Sequence, residues 1–501
     1  MLSHRFRDSV RAVRCVLAHA KPPLGWTAAS IACFLAVAAL GVFPPLFTAN
    51  IIDALQHRDV TVAFHALGAY VAVTLLYAIA QFASTFATGS LRETLVVNLR
   101  IALMAKLRSA RFSELTTLTL GEIANRISND IEMLCNQLEY STVPLVQGIV
   151  SIVATAAVML TQNVELSLVS FVLVVLVLIP IRIVTPRLSE QQKRISAMRD
   201  DLCGTINETA NLSALALLRN QSAARREGAR LFDLVWRTRA LRLKQMVTAE
   251  WASLATTVLG LLGPTAILGI GATLLMQHRL SSLGIIIAFL MFYTRLAAPF
   301  SSMSGLSLQV SSIGVVAHRL MDIFNLGDET SGDARFVPDG LTLRGVSVAR
   351  GDRTLLDDVD LRIEAGSHAA IVGPSGSGKS TLATLIPRLY DATKGRVTIG
   401  SEPIENLRLD GLREAVALVS QDPLIFDTSL LENLTYTRPD ASSADVQSAI
   451  ELAGLEGVVS RLSDGLATRL GQRGFRLSGG ERQRICVARA LVQRPDVLVL
   501  D

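Results

Sequence analysis

Six stretches of this chain have close to the length and apolarity that a helix needs to cross a bilayer, about 20 residues for a hydrocarbon core about 30 Å thick. They run from Trp26 to Phe47, Ala63 to Phe86, Thr142 to Leu160, Leu166 to Val184, Ala252 to Met276 and Leu283 to Ala298. A soluble fold would have to hide all of them from water, and so many long apolar runs with so few charges are costly to hide anywhere but in lipid. With 50% hydrophobic and 18% charged residues among 501, the chain is expected to be a multi-pass membrane protein.

Charge placement sets the expected orientation, because Lys and Arg concentrate on the cytoplasmic side. Arg5, Arg7, Arg11, Arg14 and Lys21 precede the first span. Arg92, Arg100, Lys106, Arg108, Arg111 and Arg126 lie between the second and third, and Arg187, Lys193, Arg194, Arg225, Arg226, Arg230, Arg242 and Lys244 between the fourth and fifth. The short connections hold only Arg58, none in 161–165, and Arg279. Both termini and both long loops are thus expected in the cytoplasm, with the plasma membrane as the expected location. The net charge of +5 belongs to the flanks of the spans, and no nucleic-acid partner is indicated.

The apolar run after the Arg-rich start is too long for a signal-peptide core and contains Pro44-Pro45, so residues 1–22 read as a basic amphipathic helix on the inner membrane face. Cys15, Cys33, Cys135, Cys203 and Cys486 are scattered, without CxxC spacing, and read as packing residues. The long loops carry helical periodicity, as in Leu95, Leu99, Leu103 and Leu107, a stripe that signifies packing.

Composition changes after Phe324. Residues 23–324 read as the six-helix membrane domain, 325–340, rich in Gly, Asp, Pro and Ser, as a linker, and 341–501 as a soluble α/β domain. Strands are expected over Leu341–Val348, Leu361–Ile363 and Ala369–Val372. The last runs into Gly373, Pro374, Ser375, Gly376, Ser377, Gly378, Lys379, Ser380 and Thr381, the pattern GxxxxGK[ST] in a strand–loop–helix setting. Its glycines let backbone N–H groups turn inward around phosphate; Lys379 reaches the β- and γ-phosphates, and the Ser380 hydroxyl suits magnesium. This pattern points to a nucleoside triphosphate.

Further on, Gln421 follows the apolar segment ending at Val419. Ser478, Gly479 and Gly480 open a helix within Leu477–Arg484, where Ser478 taken alone reads as an N-cap. Val497–Leu500 reads as a buried parallel strand ending in Asp501, at the sheet end where α/β folds place ligands, so Asp501 is a candidate magnesium ligand.

Together and in this order, these segments resemble those of the ABC transporter family: Gly373–Thr381 the Walker A loop, Gln421 the Q-loop glutamine, Leu477–Arg484 the signature, and Val497–Asp501 Walker B. Phe43-Pro44-Pro45-Leu46 with Ile51-Ile52-Asp53, Gly121-Glu122-Ile123 through Asp130, and Pro299 through Arg319 resemble the membrane part of fused exporters. The resemblance implies an all-α six-helix transmembrane domain followed by an α/β P-loop NTPase domain of the ABC type, C-terminally incomplete. It implies ATP and Mg2+ as cofactors, with Lys379 and Gln421 in the catalytic apparatus and Ser380, Gln421 and Asp501 at the metal. It also implies a second half-transporter subunit, homo- or heterodimeric, whose P-loop nucleotide is contacted by Ser478 and Gly480. Coupling helices are expected around Gly121–Asp130 and Asn207–Arg219.

Two residues depart from the family pattern. Arg350 stands where an aromatic residue usually stacks on adenine, a role a guanidinium can also fill, and Gln472 stands where exporters often have glutamate. The family's catalytic glutamate and switch histidine would follow Asp501, so the chain reads as a fragment of a longer protein and, by itself, as unable to hydrolyse ATP. The expected function is ATP-driven export or flipping. A nucleotide-binding but non-hydrolysing subunit of a heterodimer and a fused importer are the alternatives. Asn50, Gln81, Gln147, Tyr293 and Arg295 are candidates for the transported substrate's path, or for helix–helix hydrogen bonds. At 5% aromatic residues, an aromatic-lined drug cavity is not indicated.

Overall fold

The computed structural model describes residues 2–209, 219, 221–303, 306–350, 353–471, 474–475 and 477–501. They form two compact units, residues 1–105 with 120–325, and residues 106–119 with 326–501.

The first unit is helical, as lipid demands of a chain whose backbone groups find no partner in hydrocarbon. Its principal helices are α1 (Leu2–Ala20), α2 (Leu24–Gln56) and α3 (Val60–Ser109, up to Ala105), then α7 (Val143–Gln162), α8 (Val164–Thr209), α9 (Gln221–Met276), α10 (Leu283–Met303) and α11 (Leu306–Phe324). Five of the helical stretches, including α2 and α3, are long and apolar enough to cross a membrane, and Leu283–Ala297 is a shorter apolar segment. Between α3 and α7 the chain forms the short helices α4 (Phe112–Leu115), α5 (Leu120–Asn125) and α6 (Ile131–Gln137), with π-helical turns at Arg126–Asp130 and Leu138–Thr142.

The core of the helical unit is centred on α10, where Ile286, Phe289, Phe292 and Leu296 are buried with Met159 of α7, Leu166 of α8 and Ile267 of α9. These α10 positions follow the 3–4 residue spacing of a single helix face. The start of α10 is fixed to α2, for Asp53 Oδ1 accepts the Gly284 N–H at 3.0 Å. A Cβ at Gly284 would lie 2.4 Å from the Ala49 carbonyl oxygen, so only glycine permits that approach.

The N-terminal helix forms as expected. Ala12, Val16 and Ala20, spaced four apart, are buried, and α1 packs on α11, with the His19 ring stacked 4.3 Å from that of Phe324. These three positions of the stripe are therefore covered by protein.

In the second unit a four-stranded antiparallel sheet runs in the order β2-β1-β3-β4, from β1 (Leu341–Arg350), β2 (Arg353–Ile363), β3 (Lys394–Ile399) and β4 (Glu402–Pro403). Its apolar face packs on α12 (Lys379–Leu385) through Leu343, Val346, Leu382 and Leu385. β5 (Val416–Val419) and β6 (Val497–Leu500) pair in parallel. α13 (Leu409–Ala415) precedes β5, and a further helical cluster joins α17 (Gly479–Val492) to Leu430 and Leu434 of α14 (Leu430–Leu434), Val446 and Ile450 of α15 (Ser443–Leu452) and Val458 of α16 (Glu456–Arg461).

Residues 106–119 belong to this unit through polar contacts. Lys106 pairs with Asp328 at 2.7 Å, Arg111 N–H donates to the Gly327 carbonyl at 2.9 Å, and Glu114 Oε2 accepts the Gly327 N–H at 2.8 Å. Phe112 meets Tyr390 edge to face, with ring centroids 5.6 Å apart. Next to them, Arg413 grips both oxygens of Glu329 at 2.8 Å. Glu329→Ala removes two charge-assisted bonds from a half-buried guanidinium, so we expect the second unit to lose about 1–3 kcal/mol of stability. Thermal unfolding of the purified chain in lipid measures this, and an unchanged midpoint would show the pair to be screened by solvent.

Candidate functional site

The P-loop turn depends on glycines in backbone conformations that side chains resist. Gly376 has φ +81° and Gly378 φ +94°. A Cβ at Gly378 would lie 2.6 Å from Leu356 Cδ2 and 2.8 Å from the Leu355 carbonyl oxygen, so conformation and space both require glycine there. α12 begins at the next residue, and the Leu382 N–H donates to the Gly378 carbonyl at 2.9 Å. Lys379 Nζ donates back to the carbonyls of Gly373 at 2.9 Å and Pro374 at 2.8 Å. Gly373, Pro374, Ser375, Gly376 and Ser377 are exposed, while Lys379 and Thr381 are half-buried. The ammonium is thus held by the loop's own backbone and lies beside its open face.

One expectation about this loop is corrected. Residues 369–372 form no strand, and Ile371 and Val372 are 45% and 89% exposed. Apolar residues make a strand only where a neighbouring backbone offers hydrogen bonds, and among the described residues β5 and β6 pair only with each other.

That parallel pair assembles the rest of the site. Val419 is level with Leu500, and the Asp501 N–H donates to the Val419 carbonyl at 2.9 Å. Both strands therefore end together, placing exposed Gln421 and exposed Asp501 beyond the same end of the pair. Ser380 joins them, its hydroxyl donating to Asp501 Oδ1 at 2.8 Å. A hydroxyl and a carboxylate in contact, with an amide at the same strand ends, are the hard oxygen donors that magnesium takes alongside phosphate and water. Among the described residues no cluster of three or more His, Cys, Asp or Glu offers another metal site.

Ser478 caps α17, its Oγ accepting the Glu481 N–H at 3.3 Å while Glu481 Oε2 accepts the Ser478 N–H at 2.7 Å. Gly479 and Gly480 form the exposed first turn. The Ser478 backbone bond, then Arg461, hold the Glu481 carboxyl down to about 2. Further along, Arg489 donates to the carbonyls of Leu424 at 2.9 Å and Asn433 at 2.8 Å, tying the signature helix to the segment after Gln421. Burial lowers the Arg489 pKa.

Arg350, the candidate adenine contact, donates to the Thr116 hydroxyl at 3.0 Å and to its carbonyl at 3.3 Å. Tyr390 Oη also meets the Thr116 hydroxyl, at 3.3 Å. The short helix associated with the nucleotide-domain unit is therefore Phe112–Leu115, which the sequence reading did not single out. Gly121–Asp130, where a coupling helix was expected, belongs to the first unit. The Thr-rich break at Thr116-Thr117-Leu118-Thr119 was the available signal. Within Asn207–Arg219, residues 210–218 lie outside the described residues, as does Gln472.

A bundle of membrane-length helices joined to a P-loop domain with a Ser–Asp pair at its strand ends defines a membrane protein fused to a nucleotide-binding domain. A family model described as the ABC transporter transmembrane region matches residues 27–300, and one described as ABC transporter matches residues 356–501. The chain belongs to the ABC transporter family.

It is 29% identical over 483 residues to a multidrug efflux ATP-binding/permease protein of Mycobacterium tuberculosis, an alignment covering 93% of this chain and 39% of that protein. To an ATP-dependent lipid A-core flippase of Ralstonia nicotianae it is 27% identical over 444 residues, covering 86% and 74%. A solved structure described as a bacterial Atm1-family ABC exporter with ATP bound matches with TM-score 0.79, over 95% of this chain and 85% of that one, at 22% identity. The last likeness is one of fold. The chain spans 39% of the length of the mycobacterial relative.

The depressed Glu481 pKa has a testable sign. An ionised carboxyl stabilised in the folded state contributes at pH values above its unfolded pKa, and that contribution is lost as pH falls through the folded value. Wild type should therefore unfold at a higher temperature than Glu481→Gln at pH 7. The difference should shrink from pH about 4.5 toward about 2. A difference constant down to pH 3 would show that the charge contributes nothing.

Proposed function

We propose that this chain is the half-subunit of an ATP-driven exporter or flippase that works as a homo- or heterodimer in the plasma membrane, with both termini cytoplasmic. The observation that carries this reading is the contact between Ser380 and Asp501, beside a P-loop ammonium held by carbonyls, in a chain with five membrane-length helices. Efflux and lipid flipping in the named functions of relatives add support.

In this reading Ser375–Gly378 present backbone N–H groups to the phosphates of ATP, and Lys379 leaves the Gly373 and Pro374 carbonyls to pair with the β- and γ-phosphates. Ser380 and Asp501 would hold Mg2+, with Gln421 at the same end of the strand pair. The ion would neutralise phosphate charge. Ser478 and Gly480 of a second subunit would close on the γ-phosphate, so two nucleotides lie between two chains. Closure would draw the cassettes together, and reopening after hydrolysis would reset the membrane helices. Phe112–Leu115, bound to the nucleotide-domain unit through Glu114, is the segment best placed to carry that movement.

Lys379→Ala should weaken ATP binding at least tenfold, about 1.4 kcal/mol or more. It should also abolish transport when both cassettes carry it. Unchanged nucleotide affinity in lipid-reconstituted protein would remove the P-loop from the mechanism.

The hydrogen bonds of Arg350 to Thr116 favour one variation, a subunit that binds adenine weakly and serves mainly to regulate a partner. Arg350→Tyr then frees the position for stacking and should tighten ATP binding by about 1 kcal/mol. Equal affinity in the two proteins would show that Arg350 lies away from the base.

A further inference from the structure

Arg295 is a cation without a counterion at membrane depth. It lies on α10, 12 residues beyond the helix start at Leu283, hence about 18 Å along the axis and near the middle of a hydrocarbon core about 30 Å thick. Among the described residues its guanidinium forms no ion pair, and none of the hydrogen bonds is its own. None of the six apolar spans contains Asp or Glu. A second copy of this chain would bring the same acid-free spans, so self-association in the membrane supplies no partner.

What holds the guanidinium is shape. It lies over the ring of Tyr77 on α3, 5.3 Å from the centroid, and against Gly41 on α2, where a Cβ would sit 2.1 Å from Nη2. A cation–π contact of this kind satisfies none of the guanidinium's N–H donors. Arg295 is half-buried, so those donors are not sealed away. One turn from Tyr77 on the same helix face, Gln81 accepts from Gln147 of α7 at 3.4 Å. Four helices thus bring one unpaired cation and two amides together in a region otherwise apolar. A charge at this depth is costly unless it is compensated, and nothing in the spans compensates it.

We propose that Arg295 is the recognition point for an anionic substrate bearing a carboxylate, phosphate or sulfonate group, seated by Gly41 and Tyr77 and flanked by Gln81 and Gln147. This assignment rests on the transporter reading and names its substrate class. The planar fork of the guanidinium meets such a group with two parallel hydrogen bonds, which a lysine ammonium matches in charge but not in shape. The anion comes either from a lipid leaflet, as the head of an amphiphile, or from the cytoplasm, as a water-soluble solute.

The test uses the full chain in phosphatidylcholine nanodiscs, titrated calorimetrically with dodecyl phosphate, phenyl phosphate and dodecyltrimethylammonium. At least one anionic probe should bind wild type about tenfold or more tightly than Arg295→Gln. Arg295→Lys, which keeps the charge without the planar fork, should retain only part of that affinity, and Gly41→Ala, which displaces the guanidinium without removing charge, should also lose part of it. The cationic probe should not discriminate among the proteins. Preference for dodecyl phosphate assigns an amphiphile, and equal or better binding of phenyl phosphate assigns a soluble anion. Equal anion affinity in wild type and Arg295→Gln, or no anion binding by wild type, overturns the proposal. ATP binding measured on the same preparations separates the two readings. If it is intact while the anion result is negative, only the substrate class fails; if it is absent in wild type, the transporter reading fails as well.

Discussion

A backbone amide in hydrocarbon has no water to bond with, and this constraint governs the first unit. It makes every crossing a helix, and once a helix has formed its cooperativity lets it continue past the membrane at little cost. α3, α8 and α9 are 50, 46 and 56 residues long, more than twice the crossing length of about 20. The surplus is polar and lies in the segments dense in Lys and Arg. At the end of α3, Lys106–Ser109 already belongs to the nucleotide-domain unit. The same rule that shapes the membrane part therefore delivers Phe112–Leu115 to Tyr390 and Gly327, where the contacts change from apolar packing to hydrogen bonds.

Where one physical rule dominates, the sequence was readable. The spans follow from transfer energetics, and the P-loop follows from glycine conformations and phosphate chemistry; both are local. Ser478 as a helix cap was equally legible, since Ser followed three residues later by Glu481 is a capping box. What was misread or missed was non-local. Residues 369–372 have strand-like composition, yet strand formation depends on a neighbour that sequence does not specify. Ala12, Val16 and Ala20 make an amphipathic stripe, and α11 is a protein partner for it that the sequence does not specify. Phe112–Leu115 is four residues long, too short for periodicity to register, and its position is set by Asp328, Gly327 and Tyr390, more than two hundred residues away.

Arg295 and Arg350, both without an acidic partner among the described residues, show how surroundings change what one side chain means. Arg350 is exposed and meets a threonine hydroxyl and carbonyl. Water screens its charge, so its contacts can be exchanged at small cost. Arg295 has the same guanidinium at hydrocarbon depth against a tyrosine ring and a glycine, where screening is weak and an absent counterion weighs heavily. Chemistry alone does not distinguish the two; depth and neighbours do.

The signature serine poses a similar question of shared duty, for its Oγ is already engaged in capping α17. A hydroxyl carries one donor and two acceptor sites. The cap uses an acceptor site, receiving the Glu481 N–H, while the hydroxyl also bonds the Glu481 carboxylate, so in the proposed dimer the O–H would have to turn from Glu481 to reach a phosphate oxygen of a facing subunit. The cap fixes the position of Oγ beside the exposed backbone of Gly479 and Gly480, where the positive end of the helix favours an anion. Glu481 adds negative charge near that end, but its carboxylate is spent on the Ser478 N–H and Arg461. With that charge paired, the positive end of the helix stays available to the phosphate that the proposed function places there.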